Sequence, residues 1–261
     1  MTRVELICGD AGIELVKLPA ESIDCCITSP PYDNLRIYDG FKFDFEVIAQ
    51  GIWRVMKQGG VVVWVVGDQT VNGGETGTSF KQALYFKDLG FNLHDTMIYD
   101  KGKVIFPNPN RYHQCFEYMF VFSKGCPKTI NLLSDRKNKW AKSWGKRSFR
   151  QPDGSLKKKE ISKMKDFGVR FNIWKIDNGY MHTTLDKFAF EHPAMFPEAL
   201  ARDHILSWTK KGDTVLDPMC GSGTTGKMAK ELERNFLGIE ISEKYCAIAK
   251  KRLHNEMGRL L

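Results

Sequence analysis

The sequence predicts an α/β fold built on a doubly wound, mostly parallel sheet, and three stretches carry that expectation. At the amino end, the apolar run Val4-Glu5-Leu6-Ile7-Cys8, a helix-length segment and a second apolar run ending at Thr28 follow one another at β-α-β spacing. That spacing implies parallel strands. At the carboxyl end, Asp213-Thr214-Val215-Leu216-Asp217, a glycine-rich turn, a helical segment and residues 236–239 repeat the plan. Between them, Val61 to Val66 is a nearly continuous β-branched run, the pattern of a strand buried on both faces.

In chain order, Asp10 is placed to cap a helix over residues 11–18. Pro19 and Ser22 turn the chain into the strand 23–28, which Pro30 and Pro31 stop abruptly. A polar, aromatic loop over 33–40 follows, then helical spacing over 43–56 that closes at Gly59-Gly60. After the strand 61–66 come a Gly/Asn-rich loop, a helix over 79–89 ended by Gly90, and strands over 92–99 and 115–122. The stretch holding Pro107, Pro109 and Arg111 reads as a loop. Order returns at His192-Pro193, with a helix over 198–208 that Pro197 starts, a strand over 213–217, a helix over 225–233, a strand over 236–239 and a last helix over 242–253.

Two motifs carry the chemistry. Thr28-Ser29-Pro30-Pro31-Tyr32 sets a small hydroxyl, a carbonyl and a ring at the carboxyl edge of a sheet, where open α/β sheets bind ligands. Pro218-Met219-Cys220-Gly221-Ser222-Gly223-Thr224 follows a strand ending in Asp217 and opens a helix. Glycines there let backbone approach a ligand, and the helix start offers N–H groups to an anion. Glu240, at the end of the next strand, is placed to accept both hydroxyls of a ribose.

These motifs resemble those of the DNA amino-methyltransferases: a (D/N/S)-P-P-(Y/F/W) catalytic motif and a D-P-F-x-G-S-G-T-T cofactor loop, here with Met219 for the usual Phe. Their order, catalytic motif first and cofactor loop last, resembles the β class, a circular permutation of the seven-stranded, Rossmann-like methyltransferase sheet. The resemblance implies S-adenosylmethionine as cofactor, held by Asp10, His192, Asp217, Pro218, Met219, Cys220, Gly221, Ser222, Gly223, Thr224 and Glu240. It implies a catalytic set of Ser29, Pro30, Pro31 and Tyr32, and duplex DNA as substrate, with the target base flipped out. Asp10 is equally read as a helix cap and His192 as an ordinary loop residue. Ser in the first motif position is typical of N4-cytosine enzymes, Asp or Asn of N6-adenine enzymes, so N4-cytosine is the expectation and N6-adenine the alternative. An RNA or protein-amide methyltransferase and a catalytically inactive DNA-binding module are further alternatives. A NAD-dependent enzyme fits least, since the loop lacks the third glycine of that fingerprint. The resemblance allows a cognate restriction endonuclease as partner, and either a monomer or a homodimer.

Of 261 residues, 42% are hydrophobic, and the formal net charge is +8. Residues 124–175 hold sixteen Lys or Arg against four Asp or Glu, which leaves the rest of the chain net acidic. Trp140, Trp144, Phe149, Phe167, Phe171 and Trp174 are interleaved there. The stretch suits phosphate contacts and stacking rings, or a solvated loop around a satellite core. The expected domains are thus 1–123 with 188–261 as the catalytic and cofactor-binding part, and 124–187 as a basic target-recognition region. Seven cysteines with no Cys-x-x-Cys pair argue against zinc or a disulfide framework, and for reduced thiols in a cytoplasmic protein. No stretch reaches the roughly 18 apolar residues of a membrane helix, and no signal peptide is visible.

Overall fold

The computed structural model describes residues 2–31, 43–102, 109–139, 141, 145–161 and 163–255. Tyr32, the loop 33–40, Pro107, Trp140 and Trp144 lie outside the described residues.

One unit, residues 1–131 with 172–261, holds the large sheet. Its strands are β1 (Val4–Cys8), β2 (Ile23–Thr28), β3 (Met56–Val66), β4 (Asn92–Asp100), β5 (Phe116–Ser123), β6 (Ile173–Lys175), β7 (Thr214–Asp217) and β8 (Asn235–Glu240). They lie in the order β1-β8-β7-β2-β3-β5-β4-β6. β5 runs antiparallel to both its neighbours, and every other pairing is parallel. All strands but β5 therefore bring their carboxyl ends to one edge. The seven strands legible in the sequence are present. The eighth, β6, is a three-residue edge strand inside the stretch where hydrophobic periodicity collapses.

The helices are α1 (Ala11–Lys17), α2 (Phe45–Val55), α3 (Thr78–Asp88), α4 (Glu198–Trp208), α5 (Thr224–Glu231) and α6 (Glu243–Asn255). α1 starts where Asp10 Oδ1 accepts from the Ile13 N–H at 3.1 Å, and it ends where Arg54 Nη2 donates to the Leu15, Val16 and Leu18 carbonyls. α2 buries Ile48, Ile52 and Val55 against β3, each burial contributing about 1.5–3 kcal/mol. Phe45, Trp64, Phe86, Phe91 and Phe122 meet edge-on or tilted in the same core, and Trp64 Nε1 donates to Gln82 Oε1 at 2.8 Å. Lys124, first residue of the basic stretch, is buried: its Nζ donates to the Trp53 and Met56 carbonyls and lies 4.7 Å over the Trp53 ring. Trp174 also belongs to the core, stacked 4.5 Å from the His204 ring. These two are structural, because both charge and ring are consumed internally.

A second compact unit spans 132–171, narrower than the basic region 124–187. Arg136–Lys137 pairs antiparallel with Phe167–Gly168, and Gly145–Arg150 with Leu156–Ile161. Arg170 joins Asp135, and the Arg136 guanidinium lies 4.4 Å over the Phe171 ring.

Candidate active site

The parallel order delivers five segments to the same edge: Asp10 after β1, Ser29 after β2, Gly67-Asp68 after β3, Pro218 after β7 and Glu240 ending β8. They line a single cavity of about 1050 Å³. That is at the upper end of ligand pockets, commonly about 300–1,000 Å³. Of the residues singled out in the sequence, Ser29, Pro30, Pro31, Asp10, His192, Pro218, Met219, Cys220, Gly221, Ser222, Thr224 and Glu240 all line it. Asp217 and Gly223 do not, and Tyr32 is outside the described residues.

β2 reaches the cavity paired over its last four residues, with Cys25 to Thr28 in register with Val61 to Trp64 of β3 after an irregularity between Ile23 and Cys25. Pro30 and Pro31 carry no N–H to continue that ladder, so the chain must leave the sheet here. Thr28 fixes the departure point, its Oγ1 donating to Asp217 Oδ1 at 2.7 Å. Thr225 Oγ1 donates to Asp217 Oδ2 at 2.7 Å, and the Met219 N–H to Oδ1 at 3.3 Å. Asp217, 1% exposed, is thus a brace under the cavity floor that ties the Ser29 turn to the glycine loop.

Burial raises the Asp217 carboxyl to about 6, against the hydrogen bonds that lower it. The folded value lies above the ordinary 3.8, so between the two the folded chain keeps a proton that the unfolded chain has lost. This group's stability contribution is complete below about pH 4 and is lost as pH rises through about 6. Two pKa units correspond to roughly 3 kcal/mol. Asp217→Asn cannot ionise, so its stability relative to wild type should climb by about that much between pH 4 and pH 7 in urea unfolding. A difference that stays flat with pH would show that Asp217 ionises in the fold as freely as in the unfolded chain.

The glycine loop is shaped by the protein's own packing. Gly221 has φ +51°, and a Cβ there would lie 2.7 Å from His192 Nε2. Gly223 has φ +80°, and a Cβ there would lie 3.2 Å from the Ala249 Cβ on α6. Both positions favour glycine by their positive φ, and Gly221 also by the space it leaves for His192. His192 sits beneath the loop, edge-on to Tyr245 at 4.4 Å, with Nδ1 accepting from the Ala194 N–H at 3.2 Å. Glu240 Oε2 accepts from the Gly221 N–H at 2.8 Å and Oε1 from the Ser242 N–H at 3.0 Å. The Ile241 N–H also bonds this carboxylate, so three backbone donors orient it at the cavity wall. Burial raises the Glu240 carboxyl, while the backbone N–H groups oppose that.

Behind the loop lies an ion cluster that sequence patterns did not reveal. Arg252 on α6, 1% exposed, donates through Nη1 to Ser222 Oγ at 3.2 Å and Thr224 Oγ1 at 2.9 Å. Its Nε meets Asp186 at 3.0 Å and its Nη2 meets Glu198 at 2.5 Å. Lys227 Nζ lies 2.9 Å from both carboxylates. Burial pushes the Asp186 and Glu198 carboxyls up, but the hydrogen bonds and charges around them outweigh it and leave both below the usual range. Asp186, Glu198, Lys227 and Arg252 are far apart in the chain and carry no spacing signal, so only folding identifies them as one group.

Burial raises the Cys25, Cys26 and Cys220 thiols well above their ordinary value, so none is a ready thiolate. At the far side of the cavity, Tyr99 and Lys101 at the end of β4 face Phe116 and Glu117 at the start of β5, with Lys101 Nζ 2.5 Å from Glu117 Oε1. Asp68 lines the cavity too; its carboxylate accepts from the Ser79 N–H at 2.9 Å and so caps α3, which Gly77 cannot do.

Comparison with known proteins agrees with this arrangement. The orphan methyltransferase M.BamHII of Bacillus amyloliquefaciens is 61% identical over 90% of this chain and 89% of its own. Among solved structures, PvuII DNA methyltransferase (cytosine-N4-specific) shares the fold with a TM-score of 0.68 at 20% identity, over 97% of this chain and 86% of that one. M1.HpyAVI, solved as a complex with S-adenosylmethionine, shares it with a TM-score of 0.63 at 23% identity, over 96% and 100%. The DNA methylase family of N6- and N4-type enzymes matches residues 23–251. The chain belongs to that family.

Proposed function

We propose that this DNA methyltransferase modifies the exocyclic N4 of cytosine in duplex DNA, with Ser29, Pro30, Pro31 and Tyr32 as its catalytic motif. The observation that carries the reading is that Ser29, Pro30 and Pro31 open into the same cavity as the glycine loop and Glu240. S-adenosylmethionine is the methyl donor; when bound, it supplies an electrophilic methyl group on a sulfonium sulfur. The cavity's donor set fits it: a carboxylate for the ribose hydroxyls, the loop and α5 start for the amino-acid end, and Met219, Ile241 and Tyr245 for an apolar ring.

An exocyclic amine is a weak nucleophile because its lone pair is delocalised into the base. The Ser29 hydroxyl accepts or relays one amine hydrogen and the Pro30 carbonyl accepts the other. Both bonds draw the amine toward tetrahedral geometry and localise the lone pair for in-line attack. Tyr32 stacks on the flipped ring. The acceleration comes from positioning and from acceptors placed in advance.

Cytosine is favoured because a neutral hydroxyl, not a carboxylate or amide, occupies the first motif position. The experiment is transfer from labelled S-adenosylmethionine to duplex DNA, with nucleoside analysis by mass spectrometry. N4-methylcytosine is expected. N6-methyladenine would keep the mechanism and sink Ser29 as the base selector, and label found only in RNA or protein would sink the DNA substrate.

A further inference from the structure

A short turn at the cavity wall is firmly held at its base and strained at its tip. Asn178, Gly179 and Thr183 line the cavity, while Tyr180, Met181 and His182 between them are exposed. The His182 and Thr183 N–H groups donate to the Gly179 carbonyl at 3.1 and 2.9 Å, and the Gly179 N–H donates to Thr183 Oγ1 at 3.0 Å. The base of the turn is pinned to the start of α4. There the Glu198 N–H donates to the Thr183 carbonyl at 3.1 Å, and Thr184 Oγ1 donates to Glu198 Oε1 at 2.5 Å. Thr183 and Thr184 are both buried. Met181 at the tip has φ +63°. Left-handed backbone suits glycine or asparagine, and a long apolar side chain is uncommon and strained there. Of the four described non-glycine residues with positive φ, only Met181 is apolar, and it is 41% exposed. Beside it Tyr180, 62% exposed, is backed by the Phe190 ring 5.1 Å away, and Phe190 lines the cavity. Packing within the chain does not account for a strained tip that holds an apolar side chain out to solvent. Strain of this kind persists where the surrounding structure enforces it, and it gathers at functional sites.

We propose that Met181 is a wedge that enters the duplex substrate and fills the space left by the extruded base. A base drawn out of the duplex loses its stacking and pairing, and both favour its return. An apolar side chain placed between base steps opposes that return, and methionine is among the residues that serve this way in proteins that kink DNA. The turn leaves the cavity wall at Gly179 and rejoins it at Thr183, so its tip stands beside the opening through which a base must pass. The unbranched thioether chain is slim and adaptable enough to follow a gap in the stack. Its backbone is already fixed by the turn, so little ordering is left for the moment of binding. Met181 is thus a positioning residue, which acts on the duplex and not on the reacting atoms. This inference rests on duplex DNA as the substrate.

The test is single-turnover transfer by the full chain on two duplexes that carry the sequence methylated by the wild-type protein. One is fully paired, and in the other the target base is mismatched and so costs less to extrude. Met181→Gly suits the positive φ and removes the wedge. It should slow transfer to the paired duplex by about 10–100-fold but to the mismatched duplex by only a few-fold, with S-adenosylmethionine binding unchanged. Met181→Leu, which keeps an apolar side chain, should recover most of the paired-duplex rate. Equal losses on the two duplexes, or a paired-duplex rate within a few-fold of wild type, would overturn the proposal. Should Met181→Gly fail to fold, Met181→Asn, which also tolerates left-handed backbone, repeats the comparison. Wild-type protein that methylates neither duplex would instead overturn the substrate reading on which the wedge rests.

Discussion

Ser29→Ala should lower methyl transfer by about 10²–10³-fold while S-adenosylmethionine binding stays as in wild type. The Ser29 side chain lines the cavity, whereas the neighbouring scaffold hangs on Thr28, whose hydroxyl is held by Asp217. Under the proposed mechanism, loss of the Ser29 hydroxyl removes an acceptor for the amine and leaves the brace intact. Single-turnover transfer read beside calorimetric cofactor binding separates the two effects. Activity within a few-fold of wild type would show that the Pro30 carbonyl alone suffices, and Ser29 would lose its place in the mechanism.

Arg252→Met should destabilise the protein by about 3–5 kcal/mol, the usual consequence of breaking a buried pair from one side. The guanidinium bridges Asp186 and Glu198 and also holds the Ser222 and Thr224 hydroxyls, so its loss leaves carboxylates short of a partner in a buried site. Cofactor affinity should fall as well, because two loop residues lose their anchor on α6. Urea unfolding and cofactor titration check the two claims separately. Lys227→Met gives a useful contrast: it breaks the same cluster without touching the Ser222 and Thr224 hydroxyls, so stability should fall with a smaller effect on cofactor binding. Equal cofactor losses in both variants would mean that the cluster acts only through global stability.

The seven main strands and six helices were legible because their signals are local. β-branched runs such as Val61 to Val66, Asp10 before α1, Pro197 before α4 and the glycines after Asp217 act within a turn or a strand of their own position. Helix ends shifted by a residue or two, as fraying and short caps allow. The cavity-lining segments Ser29 to Pro31 and Pro218 to Ser222 were legible for the same reason: each is one strand end and the turn that follows.

Tertiary structure decided what depends on residues distant in sequence. Asp217 reads as a ligand contact at the head of the glycine loop, yet it lies beneath the loop and braces Thr28 and Thr225, because parallel β7 and β2 are neighbours. Arg252, Asp186, Glu198 and Lys227 form one cluster only after α4, α5 and α6 pack. Lys124 and Trp174 look like parts of a basic, aromatic surface, but carbonyls and a histidine ring in the core claim them. A sequence states the type and spacing of side chains and so fixes local conformation and the chemistry on offer. Which charges are neutralised inside, and which remain for a ligand, is settled by long-range packing, where burying an unpaired charge costs too much to leave the choice open.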